Sequence, residues 1–374
     1  MSDKILFQCD YNEGAHPKVL ERLVQTNMEQ TPGYSEDKYC EEAREKIRKA
    51  CGDDSLAVHF LVGGTQTNVT VINAALRKHQ GVLCAVTGHI NVHETGAVEA
   101  CGHKVLGLPS PDGKITAAQV AEAYEAHIHN DSFEHMVQPK MVYISNPTEV
   151  GTIYSKAELT ALSETCHKYG LYLFLDGARL GYGLAAPDND LTLPEIAALC
   201  DVFYIGGTKV GALFGEAVVI KNPELAQDFR YLIKQNGGML AKGRLLGRLY
   251  QVISAHAIAM AEKLREAFTA KGYTYLAPNR TNQIFVIVPD AHLAKISEQF
   301  EYSYDQRIDA THSCARFCTG WGPGGEKWKN YNMFGRFRKP GKVCGIFLQL
   351  PLLKNVVGYA LNLCENYISI VILN

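Results

Sequence analysis

Two apolar runs, each followed by a charged residue, constrain the fold of this chain most strongly. Residues 171–175 end at Asp176, and residues 202–205 lead within four positions to Lys209. Such runs are typical of strands buried in an α/β sheet, where ligands bind beyond the carboxyl ends of the strands. We therefore expect the carboxylate and the amine to face one pocket. Pyridoxal phosphate requires this pair, because a lysine forms its Schiff base and an acid contacts its pyridine nitrogen.

The composition indicates a globular chain with more than one folded unit. Its 374 residues, 47% of them hydrophobic, suffice for a large domain and a smaller one. The net charge of −2 gives no reason to expect nucleic acid or an anionic membrane as a partner. Eleven cysteines without a CxxC pair are typical of reduced thiols, and the first residues lack a signal-peptide pattern. We therefore expect a cytoplasmic protein.

Strand-like runs alternate with helical patterns along the first 220 or so residues. The predicted strands are 57–60, 82–86, 104–108, 140–145, 171–175, 202–205 and 217–220, and the predicted helices include 17–30, 36–51, 65–79 and 155–169. This alternation predicts an α/β fold with a mostly parallel, helix-covered sheet. A helical stretch over 225–271 then leads into a smaller α+β domain with a strand near 283–288.

The chain is predicted to have four parts. They are an N-terminal segment (1–50) that packs on the large domain, a large cofactor-binding domain (51–250), a small C-terminal domain (251–320) and an atypical tail (321–374). From residue 320 onward there are seven Lys or Arg and two acidic residues, with glycine and proline clusters. An apolar run at 346–353 is too short to cross a bilayer. The tail therefore predicts neither a closing helix nor a membrane anchor.

A glycine turn precedes the helix expected over 65–79. Gly63, Gly64 and Thr65 lie where helix amides and the helix dipole attract phosphate, and the hydroxyl of Thr208 could also reach that group. The alternative is a tight strand–helix turn that Thr65 caps. Neither the GxGxxG fingerprint nor a P-loop occurs, which disfavours a nicotinamide dehydrogenase.

Two histidines and an arginine are further candidates. His89 and His93 follow a predicted strand, and a flat imidazole can stack on a pyridine ring. A structural role is the alternative for each, more so for His93, and their order does not match the HExxH zinc motif. Arg179 has a planar fork that can grip a carboxylate, with an ordinary ion pair as the alternative.

Over about residues 5–320, the chain resembles the threonine aldolase / β-eliminating lyase family of fold-type I pyridoxal-phosphate enzymes. The resemblance rests on PGYSED (32–37), GGT (63–65), HINVHE (89–94), DGAR (176–179), TK (208–209) and HSCAR (312–316). It implies a fold-type I, transferase-like architecture. It also implies roles for individual residues. Lys209 would carry the cofactor, Asp176 would contact the pyridine nitrogen, and His89 would stack on the ring. The glycine turn would bind the phosphate, Arg179 and Arg316 would bind the substrate carboxylate, and His135 would be a second active-site histidine.

The chain departs from the family pattern at two places. Residues 237–239 are followed by Leu240, where the family often has an arginine that serves the neighbouring subunit; Lys242 and Arg244 are possible substitutes. The basic tail also differs from the acidic, helical end that the family usually has. Family sites are built at subunit interfaces, so the resemblance implies a homodimer or homotetramer, with Tyr34 as a residue that reaches the partner's site.

The resemblance implies aldol cleavage of a β-hydroxy-α-amino acid, L-threonine or L-allo-threonine, to glycine and acetaldehyde. The base that takes the hydroxyl proton is His135, His89 or a water between them. The alternatives are β-elimination, transamination or racemisation on the same scaffold, because all use the same cofactor and carboxylate grip. A cofactor-binding protein inactivated by its altered C-terminus is the alternative from another class.

Overall fold

The computed structural model describes residues 4–248 and 255–320. The strands are β1 (Ile5–Leu6), β2 (Ala57–Leu61), β3 (Gln80–Ala85), β4 (Lys104–Leu108), β5 (Gln138–Ser145), β6 (Tyr172–Asp176), β7 (Val202–Gly206), β8 (Glu216–Ile220), β9 (Thr274–Tyr275), β10 (Gln283–Pro289), β11 (Phe300–Glu301), β12 (Ser303–Arg307) and β13 (His312–Cys318). The helices are α1 (Pro17–Thr26), α2 (Lys38–Cys51), α3 (Gly64–Ala75), α4 (His89–Val92), α5 (Ala97–Ala100), α6 (Ala117–Ile128), α7 (Lys156–Tyr169), α8 (Leu180–Leu184), α9 (Leu193–Leu199), α10 (Pro223–Ala226), α11 (Phe229–Gln235), α12 (Arg244–Arg248), α13 (Ala255–Ala270) and α14 (Asp290–Ile296).

Seven strands form one large sheet in the order β2-β8-β7-β6-β5-β3-β4. The five strands from β7 to β4 run parallel, whereas β8 runs antiparallel to both its neighbours. Parallel neighbours need connections that cross over the sheet, and helices supply them here. The predicted α/β fold with a mostly parallel sheet is therefore confirmed.

The strand β6 shows why helices cover both faces of this sheet. Leu173 and Leu175 belong to the buried core on one face, and Phe174 belongs to the core on the other. Successive side chains of a strand point to opposite faces, so an unbroken apolar run must be covered on both. Truncating the Phe174 ring to alanine would lower the free energy of unfolding by about 3–5 kcal/mol.

Helix ends differ from the predicted ones where the tertiary structure intervenes. The helix α1 ends at Thr26 instead of residue 30, and the Arg244 guanidinium donates to the backbone carbonyls of Thr26, Asn27 and Glu29 just beyond that end. A basic side chain on the last carbonyls stabilises a helix end. Similarly, α3 ends at Ala75 instead of residue 79, because Leu76 has an extended backbone.

The helical stretch expected over 225–271 is divided into α10, α11, α12 and α13. The end of α11 has a clear cause. Gly237 takes the left-handed backbone conformation (φ 74°), and the N–H of Gly238 donates back to the carbonyl of Ile233 at 2.8 Å. This glycine-terminated end stops the helix in a way that hydrophobic periodicity alone does not reveal.

A second, antiparallel sheet has the order β12-β13-β10-β9, and α13 and α14 pack on it. The N-terminal strand β1 lies beside this unit, because Ile5 pairs with Phe300 of β11. In contrast, α2 joins the core of the large sheet through Ile47. The predicted segment 1–50 therefore contacts both units, and the domain limits remain predictions.

Three stretches lie outside the described residues, namely 1–3, 249–254 and the tail 321–374. The predictions for the tail, including its effect on the small domain, fall there. Within 4–248 and 255–320, no helix is both apolar enough and long enough to traverse a bilayer.

Candidate active site

The candidate site lies at the carboxyl ends of β5, β6 and β7. Asp176 is the last residue of β6 and pairs with Ser145, the last residue of β5. Lys209 follows three residues after the end of β7. Lys209 is half-buried, and Asp176 and Asp10 are close enough to favour its charged form. The tertiary structure therefore brings Asp176 and Lys209 to one edge of the sheet.

Glycines allow these strand ends to approach closely. A side chain on Gly177 would place its Cβ 1.8 Å from the carbonyl oxygen of Tyr204, and one on Gly206 would lie 2.3 Å from the carbonyl oxygen of Ala178. The N–H of Gly206 donates to the Gly177 carbonyl at 2.9 Å. Gly177 and Gly206 are therefore required because the two backbones cross here too closely for a side chain.

Asp176 is buried among neutral hydrogen-bond donors. Its Oδ2 accepts from the Tyr143 hydroxyl at 2.5 Å and from Asn68 Nδ2 at 3.1 Å, and its Oδ1 accepts from the Ala178 N–H at 3.0 Å. Burial alone would raise the pKa of this carboxyl, but the nearby His89 and these hydrogen bonds hold it below its ordinary value. Among the described residues, none forms an ion pair with it. An ionised carboxylate without a cation fits a protonated pyridine nitrogen.

Lys209 lies where the ammonium form is disfavoured. Desolvation and the nearby Arg179 charge lower the pKa of its amine, although Asp10 and Asp176 act in the opposite direction. Its backbone carbonyl accepts a hydrogen bond from the Tyr182 hydroxyl at 2.5 Å, which fixes the loop that carries it. A lysine with a lowered pKa is a better amine nucleophile.

Thr208 forms hydrogen bonds within the protein. Its hydroxyl donates to Glu216 Oε1 at 2.9 Å and accepts from the Gly215 N–H at 3.0 Å, and its contact with a phosphate stays a prediction. Burial raises the pKa of Glu216 to about 8 despite the nearby Lys209 charge. This glutamate is not among the predicted site residues. The only signal was an acid at the start of an otherwise apolar strand.

The glycine turn has the form expected of an anion site. Gly63 has an extended backbone and precedes α3, and no side chain caps the helix. Gly63 is the N-cap residue and Thr65 lies within α3, so the alternative that Thr65 caps the helix is wrong. The first amides of a helix lack intrahelical partners. A Cβ on Gly63 would meet no atom within 4 Å, whereas one on Gly64 would lie 3.3 Å from the Tyr204 hydroxyl. These amides and this space fit a phosphate group.

His89 lies at the start of α4, beside Asp176. Its Nδ1 lies 2.7 Å from Glu94 Oε1, and its backbone N–H donates to Glu149 Oε1 at 3.0 Å. The ring of His93 lies 5.5 Å from that of His89. His93 is exposed at the surface, and its partial desolvation and the neighbouring His89 lower the pKa of its imidazole, with smaller effects from Arg316, Arg179 and Lys209. His93 is therefore a neighbour of His89, and its role in the site stays open.

The two arginines have different partners. Arg179 donates from Nε and a terminal nitrogen to the two oxygens of Asp10, at 2.6 and 3.0 Å. Arg316 donates weakly to the Gln8 carbonyl at 3.2 Å and to Ser303 Oγ at 3.3 Å, and its buried Nε has no hydrogen-bond partner among the described residues. Asp10 therefore occupies the Arg179 fork, whereas Arg316 retains donors for a ligand.

His135 does not lie near the other candidates within the chain. It is exposed, in a one-turn 3₁₀ helix before the amino end of β5, whereas Asp176 pairs with Ser145 at the carboxyl end of that strand. Eight strand residues span about 25 Å. The separation from Asn146 along the chain does not place His135 at the pocket, because a strand places its two ends on opposite edges of the sheet. A role for His135 in the site therefore stays a prediction that depends on another subunit.

The two proposed substitutes for the family arginine also differ. Lys242 is exposed. Arg244 is committed to backbone carbonyls beyond α1, as described above. Tyr34 has a left-handed backbone (φ 58°) and is 45% exposed, so its ring is available at the surface. Of these three residues, Arg244 has a structural role in its own chain.

Known proteins match this chain over most of its length. Residues 10–291 match the family model described as beta-eliminating lyase. The chain belongs to this family. It is also 34% identical over 245 residues to a low specificity L-threonine aldolase from a Pseudomonas species, which corresponds to 64% of this chain and 68% of that protein. The family resemblance stated from the motifs is therefore confirmed.

Solved structures agree with this assignment. A threonine aldolase from Leishmania major superimposes with a TM-score of 0.83 and 42% identity, over 86% of this chain and 96% of that one. A single mutant of Thermus thermophilus aspartate aminotransferase gives a TM-score of 0.63 at 16% identity, over 84% and 87% of the two chains, which shows the fold alone. The fold-type I architecture of this family member is confirmed.

Proposed function

We propose that this family member is a pyridoxal-phosphate-dependent lyase that cleaves β-hydroxy-α-amino acids. Its substrates are L-threonine and L-allo-threonine, and its products are glycine and acetaldehyde. In this reaction the Cα–Cβ bond breaks, the β-hydroxyl oxygen loses its proton, and Cα gains one. The relatives from Pseudomonas and Leishmania, which are named threonine aldolases, support this choice of substrate.

One observation supports the proposal most strongly: a lysine with a lowered pKa and a buried, ionised aspartate lie at the same edge of the sheet. Lys209 is the attachment point of the cofactor, and Asp176 holds the proton on its pyridine nitrogen. Gly63, Gly64 and the exposed Thr65 receive the phosphate at the start of α3. When bound, pyridoxal phosphate supplies the electron sink that accepts the electrons of the broken bond.

The remaining residues bind and orient the substrate. Arg316 has donors available for the α-carboxylate, and Asp10 takes only Nε and one terminal nitrogen of Arg179, which leaves the other terminal nitrogen for the same group. His89 is the group that takes the proton from the β-hydroxyl oxygen, through its Nε2. General-base assistance of this kind contributes about 100- to 10,000-fold to a rate. A role for His135 requires that it enter the site of another subunit.

The test is product formation by the purified protein with added pyridoxal phosphate and L-allo-threonine. Equal amounts of acetaldehyde and glycine are expected. Pyruvate with ammonia would identify β-elimination, an oxo acid would identify transamination, and the D-amino acid would identify racemisation. Bound cofactor without any of these products would identify an inactive binding protein and overturn the proposal.

The assembly and compartment are part of this proposal. We infer a homodimer or homotetramer in the cytoplasm, because the family builds its sites at subunit interfaces and the cysteine pattern favours a reducing compartment. Light scattering of the purified protein tests the first statement. A mass of one chain at micromolar concentration would contradict it.

A further inference from the structure

Glu94 is a buried acid that the roles assigned so far do not use. It follows α4, and its side chain is fully buried. Its Oε1 lies 2.7 Å from His89 Nδ1 and accepts from Asn68 Nδ2 at 2.7 Å. No side chain in the described ranges hydrogen-bonds to its Oε2. A buried carboxylate of this kind is costly unless it holds a specific partner.

The same asparagine connects Glu94 to the cofactor-binding carboxylate. Asn68 Nδ2 donates both to Glu94 Oε1 and to Asp176 Oδ2, at 2.7 and 3.1 Å. Asn68 is fully buried on α3, so its side chain is fixed by packing. Asp176, Asn68, Glu94 and His89 therefore form one continuous hydrogen-bonded series, from the position of the pyridine nitrogen to the imidazole.

The backbone next to Glu94 supports a specific role. Thr95 has a left-handed conformation (φ 56°), and Gly96 has another (φ 71°). A β-branched residue is rare in this region, and the conformation costs on the order of 1–3 kcal/mol. This turn lies between the inward-facing Glu94 and α5. Strain of this kind persists only where the surrounding structure holds it in place, and it clusters at functional sites.

We propose that Glu94 is a positioning residue that sets the tautomer of His89. A carboxylate can only accept hydrogen bonds, so a neutral imidazole at this distance carries its proton on Nδ1. Nε2 is then unprotonated and can accept the proton of the substrate's β-hydroxyl group. The negative charge of Glu94 also stabilises the imidazolium that forms at that moment. This inference rests on the proposed aldol cleavage, and it goes beyond that proposal by assigning the orientation of its base.

Other charged groups also face His89. Glu149 accepts from its backbone N–H, Asp176 lies on the adjacent strand end, and His93 lies on the same helical turn. None of these contacts reaches Nδ1, which Glu94 occupies. Among these groups, only Glu94 therefore sets the tautomer of His89. The other neighbouring groups stay in place when Glu94 is substituted.

The experiment compares Glu94→Gln with Glu99→Gln, an exposed glutamate of α5 that serves as a matched control. Glutamine keeps an acceptor oxygen but loses the charge and can also present an N–H to Nδ1. We expect kcat with L-allo-threonine to fall about 100-fold or more, with KM changed less than about threefold. The absorbance of the protein-bound cofactor should be unchanged. Wild-type kcat in Glu94→Gln, or loss of bound cofactor, would overturn the proposal.

A second measurement does not depend on turnover. Nuclear magnetic resonance of protein labelled with 15N-histidine, assigned with His89→Asn, reports which ring nitrogen carries the proton. A proton on Nδ1 of His89 in the wild type and a mixture in Glu94→Gln are expected. A proton on Nε2 in the wild type would overturn the proposal, even if no acetaldehyde forms. The two proposals can therefore fail separately. The tautomer assignment can be wrong while the lyase activity is present, and the lyase activity can be absent while the tautomer assignment is correct.

Discussion

Arg179 and Arg316 were expected to do the same work, but they lie in different surroundings. Arg179 follows a strand of the large sheet and forms a two-pronged pair with buried Asp10. Arg316 lies on β13 of the small sheet, and its contacts with a carbonyl and a hydroxyl are long. A guanidinium already paired with a carboxylate gains less from a second one. We therefore propose that Arg316 is the main ligand of the substrate carboxylate, whereas the ion pair of Arg179 with Asp10 holds the N-terminal segment in place.

The largest effect is expected for Lys209→Ala, and it is the reference for the smaller effects expected around the two arginines. Lys209→Ala should abolish turnover and release the cofactor on gel filtration, because no covalent link to the protein can form. The measurement is the visible absorbance of the protein fraction after gel filtration, with Lys78→Ala as the control, since Lys78 is an exposed lysine outside the candidate site. Absorbance that persists in Lys209→Ala would show that Lys209 is not the attachment point of the cofactor. The roles of the two arginines would then have to be reassigned relative to a different attachment point.

Arg316→Ala should weaken substrate binding without loss of stability. Hydrogen bonds to charged groups contribute about 1.5–3 kcal/mol, so KM for L-allo-threonine should rise about 10- to 100-fold. Arg307→Ala, at an exposed position of the neighbouring strand β12, is the control. If Arg316→Ala leaves KM unchanged, the distinction between the two arginines is wrong.

Asp10→Asn should instead affect stability. Removal of one partner of a buried ion pair costs about 3–5 kcal/mol of unfolding free energy, measured here by urea denaturation at pH 7. Glu13→Gln, an exposed neighbour, is the control. A variant as stable as the wild type, with a raised KM, would show that the Asp10–Arg179 pair serves the substrate and not the fold.

The same pair predicts a pH dependence. Burial would raise the pKa of Asp10, but the Arg179 and Lys209 charges and the hydrogen bonds of Arg179 and Asn282 lower it to about 2. Because this value lies below the ordinary 3.8, the ionised carboxylate stabilises the folded state by about 2 kcal/mol above about pH 4. This contribution is lost as the pH falls towards 2. The stability difference between wild type and Asp10→Asn should therefore shrink over that range; a constant difference would contradict the assignment.

Ser303→Ala should have the smallest effect. Its hydroxyl accepts one long hydrogen bond from Arg316, at 3.3 Å. Loss of a hydrogen bond that contributes about 0.5–1.5 kcal/mol predicts that KM rises by about two- to tenfold. Ser297→Ala is the control, because that hydroxyl contacts only a carbonyl of its own helix. A rise as large as that of Arg316→Ala would mean that Ser303 itself contacts the substrate.

The features predicted correctly share one property: they are local in the sequence. The end of β6 at Asp176, the end of β7 before Lys209 and the start of α3 after Gly63 all follow from apolar runs and glycines. The rule that ligands bind at carboxyl ends of parallel strands then predicted one pocket. Local hydrogen bonding and hydrophobic burial along each element produce these signals.

The features that were missed or misplaced depend on distant residues. Asp10 is 169 positions from Arg179, and nothing in either neighbourhood indicates that they pair. Glu94 and Glu216 appear in the sequence as ordinary acids, although both are buried. His135 had a plausible separation from Asn146, yet the strand between them carries it to the opposite edge.

The fold class and the family therefore follow from the amino-acid sequence, as does the choice of Asp176 and Lys209 as candidates for cofactor binding, because apolar periodicity and short motifs are properties of neighbouring residues. How the charges are shared follows instead from the tertiary structure. Asp10 takes the fork of Arg179, Thr208 binds Glu216, and Glu94 holds His89. The energy of a buried charge depends on which groups folding places within a few ångströms of it, and those groups come from separate parts of the chain.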